Sequence, residues 1–301
     1  MKIWDGSGIL YIGDYPNSIY SVYLQNNIQI FENLSVGISL RDEYYELTKY
    51  NSVCPRASII YNPSDNSSIK LLYSNAFREP NIYELYYSDG YYTEDNPALE
   101  PLIINSVEFL YEQNFGYNLF GTVTCFYNKI DDIIESVLDT LTNLQQFRNN
   151  TKIITYGVEL EIQSKFKSSL RNYVSFSYQR SRYPDNNNYV QNSPEYLIKG
   201  GVSYNLAKYL YFGFDIDIES GRKTVYDTWT KPFCLNNLSI SFIPQSVSLN
   251  NDGNLFDRLN FTFKVNNLFD VRYELPGGPE HLQNALMQNG TNYIFEASVK
   301  F

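Results

Sequence analysis

The sequence has little of what most function classes require. Its 301 residues hold one histidine, His281, and three cysteines, Cys54, Cys125 and Cys234. A zinc site needs several closely spaced nitrogen or sulfur ligands, and a nucleophile triad needs a histidine beside its serine or cysteine. A lone loop histidine and cysteines without a CxxC pair meet neither requirement. No metal, no cofactor and no catalytic centre are expected. Asp131-Asp132 and Glu159 with Glu161 are acidic pairs without an acid/base partner, and they read as polar lining of a sheet face. Basic runs are also missing: 23 Lys and Arg stand against 33 Asp and Glu, a net charge of -10, which excludes a nucleic-acid partner held through its phosphates. No stretch approaches the roughly 18 consecutive apolar residues of a membrane helix, so any membrane is crossed by strands. Met1 to Ile12 lack the basic region and apolar core of a signal peptide.

What is abundant is aromatic: 29 Tyr and 19 Phe, against only 19% charged residues. The aromatic and aliphatic residues alternate with polar ones. Tyr20, Val22, Leu24, Ile28 and Ile30 interleave with Ser21, Tyr23, Gln25, Asn27 and Gln29. Leu210, Phe212, Phe214, Ile216 and Ile218 interleave with Tyr211, Gly213, Asp215, Asp217 and Glu219, and Leu259 to Asn266 repeats the pattern. A period of two over this length means strands with one apolar and one polar face. About thirteen such strands are expected between Ser18 and Phe301.

The connections fall into two kinds. Phe31 to Asn33, Asn62 to Ser67, Asn114 to Gly116, Lys165 to Ser169 and Asn205 to Lys208 carry turn residues and are short. Arg78 to Leu102, Glu135 to Ile153, Tyr183 to Ser193, Gly221 to Pro232 and Asp270 to Thr291 are long and polar. Asn51 is placed in a shorter outer link and Pro244 to Phe256 in a longer inner one. Short turns on one side and long loops on the other are the arrangement of an outer-membrane barrel. A soluble antiparallel sandwich or a β-solenoid gives the same alternation, but explains neither the aromatic excess nor the segregated loop lengths.

One long loop carries recognisable order: Phe77-Arg78-Glu79-Pro80, then Tyr83 to Tyr86, then Asn96-Pro97-Ala98-Leu99-Glu100-Pro101. Further on stand Phe126 to Ile134, Tyr156 to Glu161, and Val265-Asn266-Asn267-Leu268-Phe269-Asp270 with Tyr273. This set resembles the FRxP, NPxLxP, FYxxIxDxI, GxExE and VxNLFDxxY segments of the TonB-dependent outer-membrane receptors, from Ser18 to Phe301. Two positions depart from the pattern: Leu102 stands where a glutamate is usual, and Gly290-Thr291 where a Gly-Arg is usual.

The resemblance implies an all-β, antiparallel transmembrane β-barrel, of which residues 1–301 are the C-terminal part, about 13 strands of a barrel of about 22. Residues 1–17 are then an outer loop or the end of a preceding strand, and the plug domain of the family is not in this chain. It implies a receptor of the outer membrane that takes up a scarce ligand, most often a ferric siderophore, with energy from TonB delivered through the plug. Phe301 would be the barrel-assembly signal. Cobalamin and haem are alternatives within the family; no histidine lies between Arg78 and Asn96, which weakens haem, although Tyr also ligates haem iron. A passive porin, or a non-functional truncated fragment, are alternatives beyond ligand uptake. An anionic, aromatic iron complex calls for cations and rings at the loop bases. The ligand-binding candidates are Arg78, Tyr86, Tyr87, Tyr91, Tyr92, Arg148, Arg180, Arg182, Arg222, Lys223, Tyr226 and Trp229. Expressed from Met1 alone, the chain is expected neither to close nor to transport, because its first and last strands lack the neighbours of a native seam.

Helix is expected only in short loop turns. Far-UV circular dichroism of the protein in detergent should therefore show a β spectrum, and more than about a fifth of helix would contradict the reading.

Overall fold

A computed structural model describes residues 2–4, 9–12, 15–166, 169–207, 209–243 and 259–299. Strands β1 (Lys2–Trp4) and β2 (Ile9–Ile12) pair with each other and precede β3 (Ile19–Phe31), β4 (Leu34–Tyr45), β5 (Tyr50–Ser64) and β6 (Ser67–Arg78). The connection after β6 holds a helix, α1 (Ile82–Tyr86), and β7 (Thr93–Glu94). There follow β8 (Leu102–Gly116), β9 (Leu119–Leu138), β10 (Gln145–Phe166), β11 (Leu170–Arg182), β12 (Tyr196–Ala207), β13 (Leu210–Glu219), β14 (Phe233–Phe242) and β15 (Leu259–Asn266). A small hairpin of β16 (Glu274–Pro276) and β17 (Ala285–Met287) separates β15 from β18 (Asn292–Val299).

Every long strand pairs antiparallel with its neighbour in sequence, in the order β18-β15-β14-β13-β12-β11-β10-β9-β8-β6-β5-β4-β3. The thirteen strands of this path agree with the number expected from alternation. β3 and β18 are its two edges among the described residues.

Because neighbouring strands are in register, the alternation of each strand joins into two continuous faces. Leu71, Phe109, Cys125, Val158, Tyr178 and Tyr196 lie in one lateral row, and Ile69, Tyr111, Val123, Leu160, Phe176 and Ile198 in the next. The opposite face carries Arg56, Glu108, Glu112, Glu159, Glu161, Lys199, Asp215 and Asp217. No second layer covers the apolar face among the described residues, as a sandwich would require. Large hydrophobics there stay open, such as Leu24 at 66% and Val174 at 58% exposure, while the buried hydrophobics are few: Cys54, Leu85, Leu99, Ile134 and Val265. So much uncovered apolar area is more than a sheet with water on both faces ordinarily leaves open.

Several connections differ from expectation. The turn placed at Asn114 to Gly116 lies at Tyr117 and Asn118, whose φ values of 52° and 60° match the two left-handed positions of a tight primed hairpin. Asn51 pairs with Tyr44 inside β5, and the outer link shrinks to the residues between Tyr45 and Tyr50. Most of the expected loop from Glu135 to Ile153 is strand, with Gln146 opposite Val137 and Arg148 opposite Glu135. Polar residues pair in this hairpin as well as apolar ones, Arg148 with Glu135 beside Asn149 with Ile134, so composition masks the ladder. β9 and β10 run for 20 and 22 residues, about twice what a tilted crossing of roughly 9 to 11 residues needs. Pro244 to Phe256 and Phe301 lie outside the described residues, as do Lys167, Ser168 and Lys208 within two of the expected short turns.

Gly157 on β10 shows how tightly the polar face is packed. A Cβ there would sit 2.2 Å from the Tyr178 carbonyl oxygen and 2.7 Å from the Phe126 ring. At Gly37 the nearest atoms are the side-chain oxygens of Ser58 and Asn27, which can turn away. Replacing Gly157 by Ala should cost about 1–3 kcal/mol of sheet stability, and Gly37→Ala less; urea midpoints followed by far-UV circular dichroism in detergent would read both.

Candidate functional site at the long-loop end

The ordered loop between β6 and β8 folds by local rules. Asn81 caps α1: its Oδ1 accepts the Glu84 N–H at 3.0 Å, and Glu84 Oε2 accepts the Asn81 N–H at 2.9 Å. This reciprocal capping box satisfies two donors that a five-residue helix otherwise leaves open. Arg78 donates to the same Glu84 Oε2 at 2.9 Å. The helix then buries Leu85, fully, against Leu99 and Ile134, with Leu47, Tyr86 and Phe147 around them. Asn96 ties the loop to α1 and to β10: its backbone N–H donates to the Leu85 carbonyl at 3.0 Å and its Nδ2 to the Phe147 carbonyl at 2.8 Å. Asn149 exchanges two hydrogen bonds with the backbone of Glu100. The segments that looked like a signature are thus a small core clamped to the extended β9–β10 hairpin.

Carboxylates brace the tips beside it. Asp89 Oδ1 accepts the backbone N–H groups of Tyr92, Tyr91 and Thr93 at 2.7, 3.0 and 2.8 Å. These donors hold the Asp89 carboxyl below the ordinary range. In the β9–β10 turn the Leu141 N–H and the Arg148 guanidinium do the same for Asp139. Glu79, which accepts from Thr48, is pushed above the ordinary carboxylate range by burial, with the Thr48 bond offsetting this in part.

The twelve candidates form two groups, with no hydrogen bond, ion pair or ring contact joining them among the described residues. In the first, Arg78 is held by Glu84 and Arg148 by Asp139. Tyr86 stacks on Tyr15 at 4.2 Å and Tyr87 on Tyr83 at 4.5 Å. Tyr91 and Tyr92 point outward at 81% and 76% exposure.

The second group lies at the end of β11 and in the connection after β13. Tyr189, not singled out from sequence, organises it: the guanidinium carbons of Arg180 and Arg182 lie 5.0 and 4.9 Å from its ring centre, and Trp229 meets it edge-on at 5.3 Å. Arg180 and Arg182 pair in register with Tyr156 and Ile154. They therefore project from the apolar face, not the polar one. Arg222 grips Glu219 with two nitrogens and donates to Asn192 at 2.8 Å, Lys223 pairs with Asp227 at 2.7 Å, and the Tyr226 hydroxyl reaches the His281 carbonyl at 3.5 Å.

On the polar face at this end a recess of about 380 Å³ is lined by Leu197, Lys199, Asp217, Glu219, Arg222, Phe233 and Tyr273, among others. Phe233 and Tyr273 touch, with ring centres 4.5 Å apart. Lys199 is exposed and has no ion pair among the described residues. Of the candidates only Arg222 lines this recess. Lys199 was within reach of the sequence, since the alternation Leu197, Lys199, Gly201, Ser203 puts it on the polar face. Larger recesses of about 660 and 700 Å³ lie at the short-turn end and hold none of the candidates.

The family model for the TonB dependent receptor-like β-barrel matches residues 3–268. The chain belongs to the TonB-dependent receptor β-barrel family. Among solved structures it is similar to a ferric enterobactin receptor, PfeA of Pseudomonas aeruginosa, with TM-score 0.77 at 17% identity over 95% of this chain and 45% of that one. It is similar also to the siderophore receptor PirA of Acinetobacter baumannii, with TM-score 0.76 at 17% identity over 97% and 47%. The iron transporter FrpB of Neisseria meningitidis gives 0.73 at 16% identity over 95% and 45%. At such identities the likeness establishes the fold, an antiparallel receptor barrel, and the chain spans just under half the length of these receptors. No curated protein matches the sequence significantly. Family and neighbours are receptors and transporters, not enzymes.

Removing the cap tests whether the loop is as rigid as its bonds imply. Asn81→Ala should cost about 0.5–2 kcal/mol locally, and faster amide exchange at Glu84 and Leu85, with the strands unchanged, would report it.

Proposed function

We propose that this chain forms the ligand-capturing wall of an outer-membrane receptor for an anionic ferric siderophore, with uptake driven by TonB through a plug that meets the polar face. The apolar face then contacts lipid and the polar face lines the interior. The observation that carries the ligand class is the recess at the long-loop end. There an exposed ammonium, Lys199, stands beside the Phe233 and Tyr273 rings, while Arg222 is already held by Glu219; the exposed ammonium and the rings suit a negatively charged complex with aromatic edges. Family membership and the likeness to receptors described as siderophore and iron transporters support the same reading.

The internal bonds divide the candidate residues by availability. Arg78 and Arg148 each give a carboxylate their nearest bond, which favours a bracing role, while Tyr91, Tyr92, Tyr226 and Trp229 remain open to a ligand descending through the loops. Among the described residues Lys199 has no ion pair to break before it can bind.

Lys199→Ala should weaken binding of a ferric siderophore by about 1.5–3 kcal/mol, the worth of a hydrogen bond to a charged group, and leave barrel assembly intact. Titration of the complete receptor, plug included, in detergent by intrinsic fluorescence would measure it. Unchanged affinity in the variant, or equal affinity for a neutral analogue in the wild type, would remove the anionic-ligand reading.

A further inference from the structure

The β9–β10 hairpin outruns its neighbours at the long-loop end. β8 pairs with β9 only as far as Asp131, opposite Ile103, and β11 pairs with β10 only as far as Ile154, opposite Arg182. Beyond these rows β9 and β10 continue as a two-stranded ribbon. Pro101, just before β8, has no N–H with which to extend the ladder. At the same level stand the left-handed backbone of Asp132 (φ 58°) and the register shifts between Asn149 and Ile153, and such bulges bend a ribbon out of its sheet.

The two edges of the ribbon differ. On the β10 edge the Gln145 N–H donates to the Tyr92 carbonyl at 2.7 Å, β7 runs parallel to Gln145 and Gln146, and Asn96 Nδ2 donates to the Phe147 carbonyl at 2.8 Å. These groups point away from β9. In an antiparallel pair, a residue whose N–H and C=O point away from the partner strand lies opposite one that does the same. Leu138 is opposite Gln145 and Ser136 opposite Phe147, so both turn their N–H and C=O groups to the β9 edge. The Asp139 N–H, which donates to the Leu144 carbonyl at 2.8 Å, fixes the same phase. No strand and no backbone hydrogen bond covers that edge among the described residues, and Ser136 and Leu138 are exposed.

We infer that this edge takes up an extended, cationic peptide as an added strand, on the β9 side as β7 is added on the β10 side. From Ile134 to Leu138 it offers a ladder about 15 Å long. Ile133 to Leu138 holds neither the Lys nor the Pro that ordinarily blunts an open edge, and Leu138 and Leu141, at 48% and 93% exposure, stand ready for the peptide's apolar side chains. Charge chooses the occupant. Residues 78–101 and 131–152, which build this tip, hold ten Asp and Glu against three Lys and Arg. A strand bearing Lys or Arg is drawn into that field, whereas a second copy would set one acidic tip against another. The inference rests on register and charge, and is independent of the siderophore reading.

The test uses the complete receptor in detergent and three fluorescein-labelled octapeptides: alternating lysine and valine, alternating glutamate and valine, and the lysine peptide N-methylated throughout, which keeps its charge but has no backbone donors. By fluorescence polarisation the lysine peptide should bind at least about tenfold more tightly than either of the others. It should also slow amide hydrogen exchange at Ser136 and Leu138. Ser136→Pro removes a donor from the open edge and none from the β10 ladder, and should weaken binding of the lysine peptide by about tenfold. Equal binding of the lysine peptide and its N-methylated form would mean attraction by charge alone and would overturn the inference. Protection confined to other amides, or no binding of the lysine peptide, would overturn it as well. Receptor dimers that Ser136→Pro dissolves, in place of peptide binding, would give the edge to a second copy and do the same. The peptide comparison needs no variant, so misfolding of Ser136→Pro leaves the test intact.

Discussion

The structure depends on one constraint: every backbone donor and acceptor in the sheet must find its partner in an adjacent strand. Thirteen strands meet it by pairing each with its neighbour along the path, which leaves β3 and β18 as the edges among the described residues. Pro55 shows how strictly the rule operates. It lacks an N–H, and it sits on β5 where pairing to β6 has already stopped, the last such pair being Arg56 with Ser74. With the ladder fixed, the two faces follow, and each face can be tuned to its own solvent independently.

That independence explains how one chain carries two kinds of cationic chemistry. On the polar face Lys199 stands open in a recess with rings and acids around it; on the apolar face Arg180 and Arg182 share the ring of Tyr189 above a line of tyrosines. Alternate positions on neighbouring strands separate them. A charge on the apolar face is tolerable only beyond the apolar rows, and Arg180 and Arg182 obey this at the long-loop end of β11.

The loops obey a different rule. They have no lateral ladder to complete, so side chains finish the work: Asn81 and Glu84 cap α1, Asp89 gathers three backbone N–H groups, and Asn96 and Asn149 bond to backbone across the loop. Leu85 and Leu99 are then buried in a miniature core against β9 and β10. The family's FRxP and NPxLxP segments are, in this chain, the framework of that core. They form a folding unit that presents Tyr91 and Tyr92.

The period of two by itself determined the strand number, the two faces and which ends carry long loops, because alternation and turn chemistry are local properties of the chain. It also held the outward placement of Arg180 and Arg182, which continue the series Val174, Phe176, Tyr178 and so belong to the apolar face. Only the tertiary structure decided how far β9 and β10 extend, since Gln146 opposite Val137 is a pairing of polar and apolar residues that composition cannot distinguish from loop. It alone decided which cations are occupied. Arg78 finds Glu84, Arg148 finds Asp139 and Lys199 makes no ion pair among the described residues, and each outcome rests on the reach of a long side chain toward whichever backbone the fold brings near.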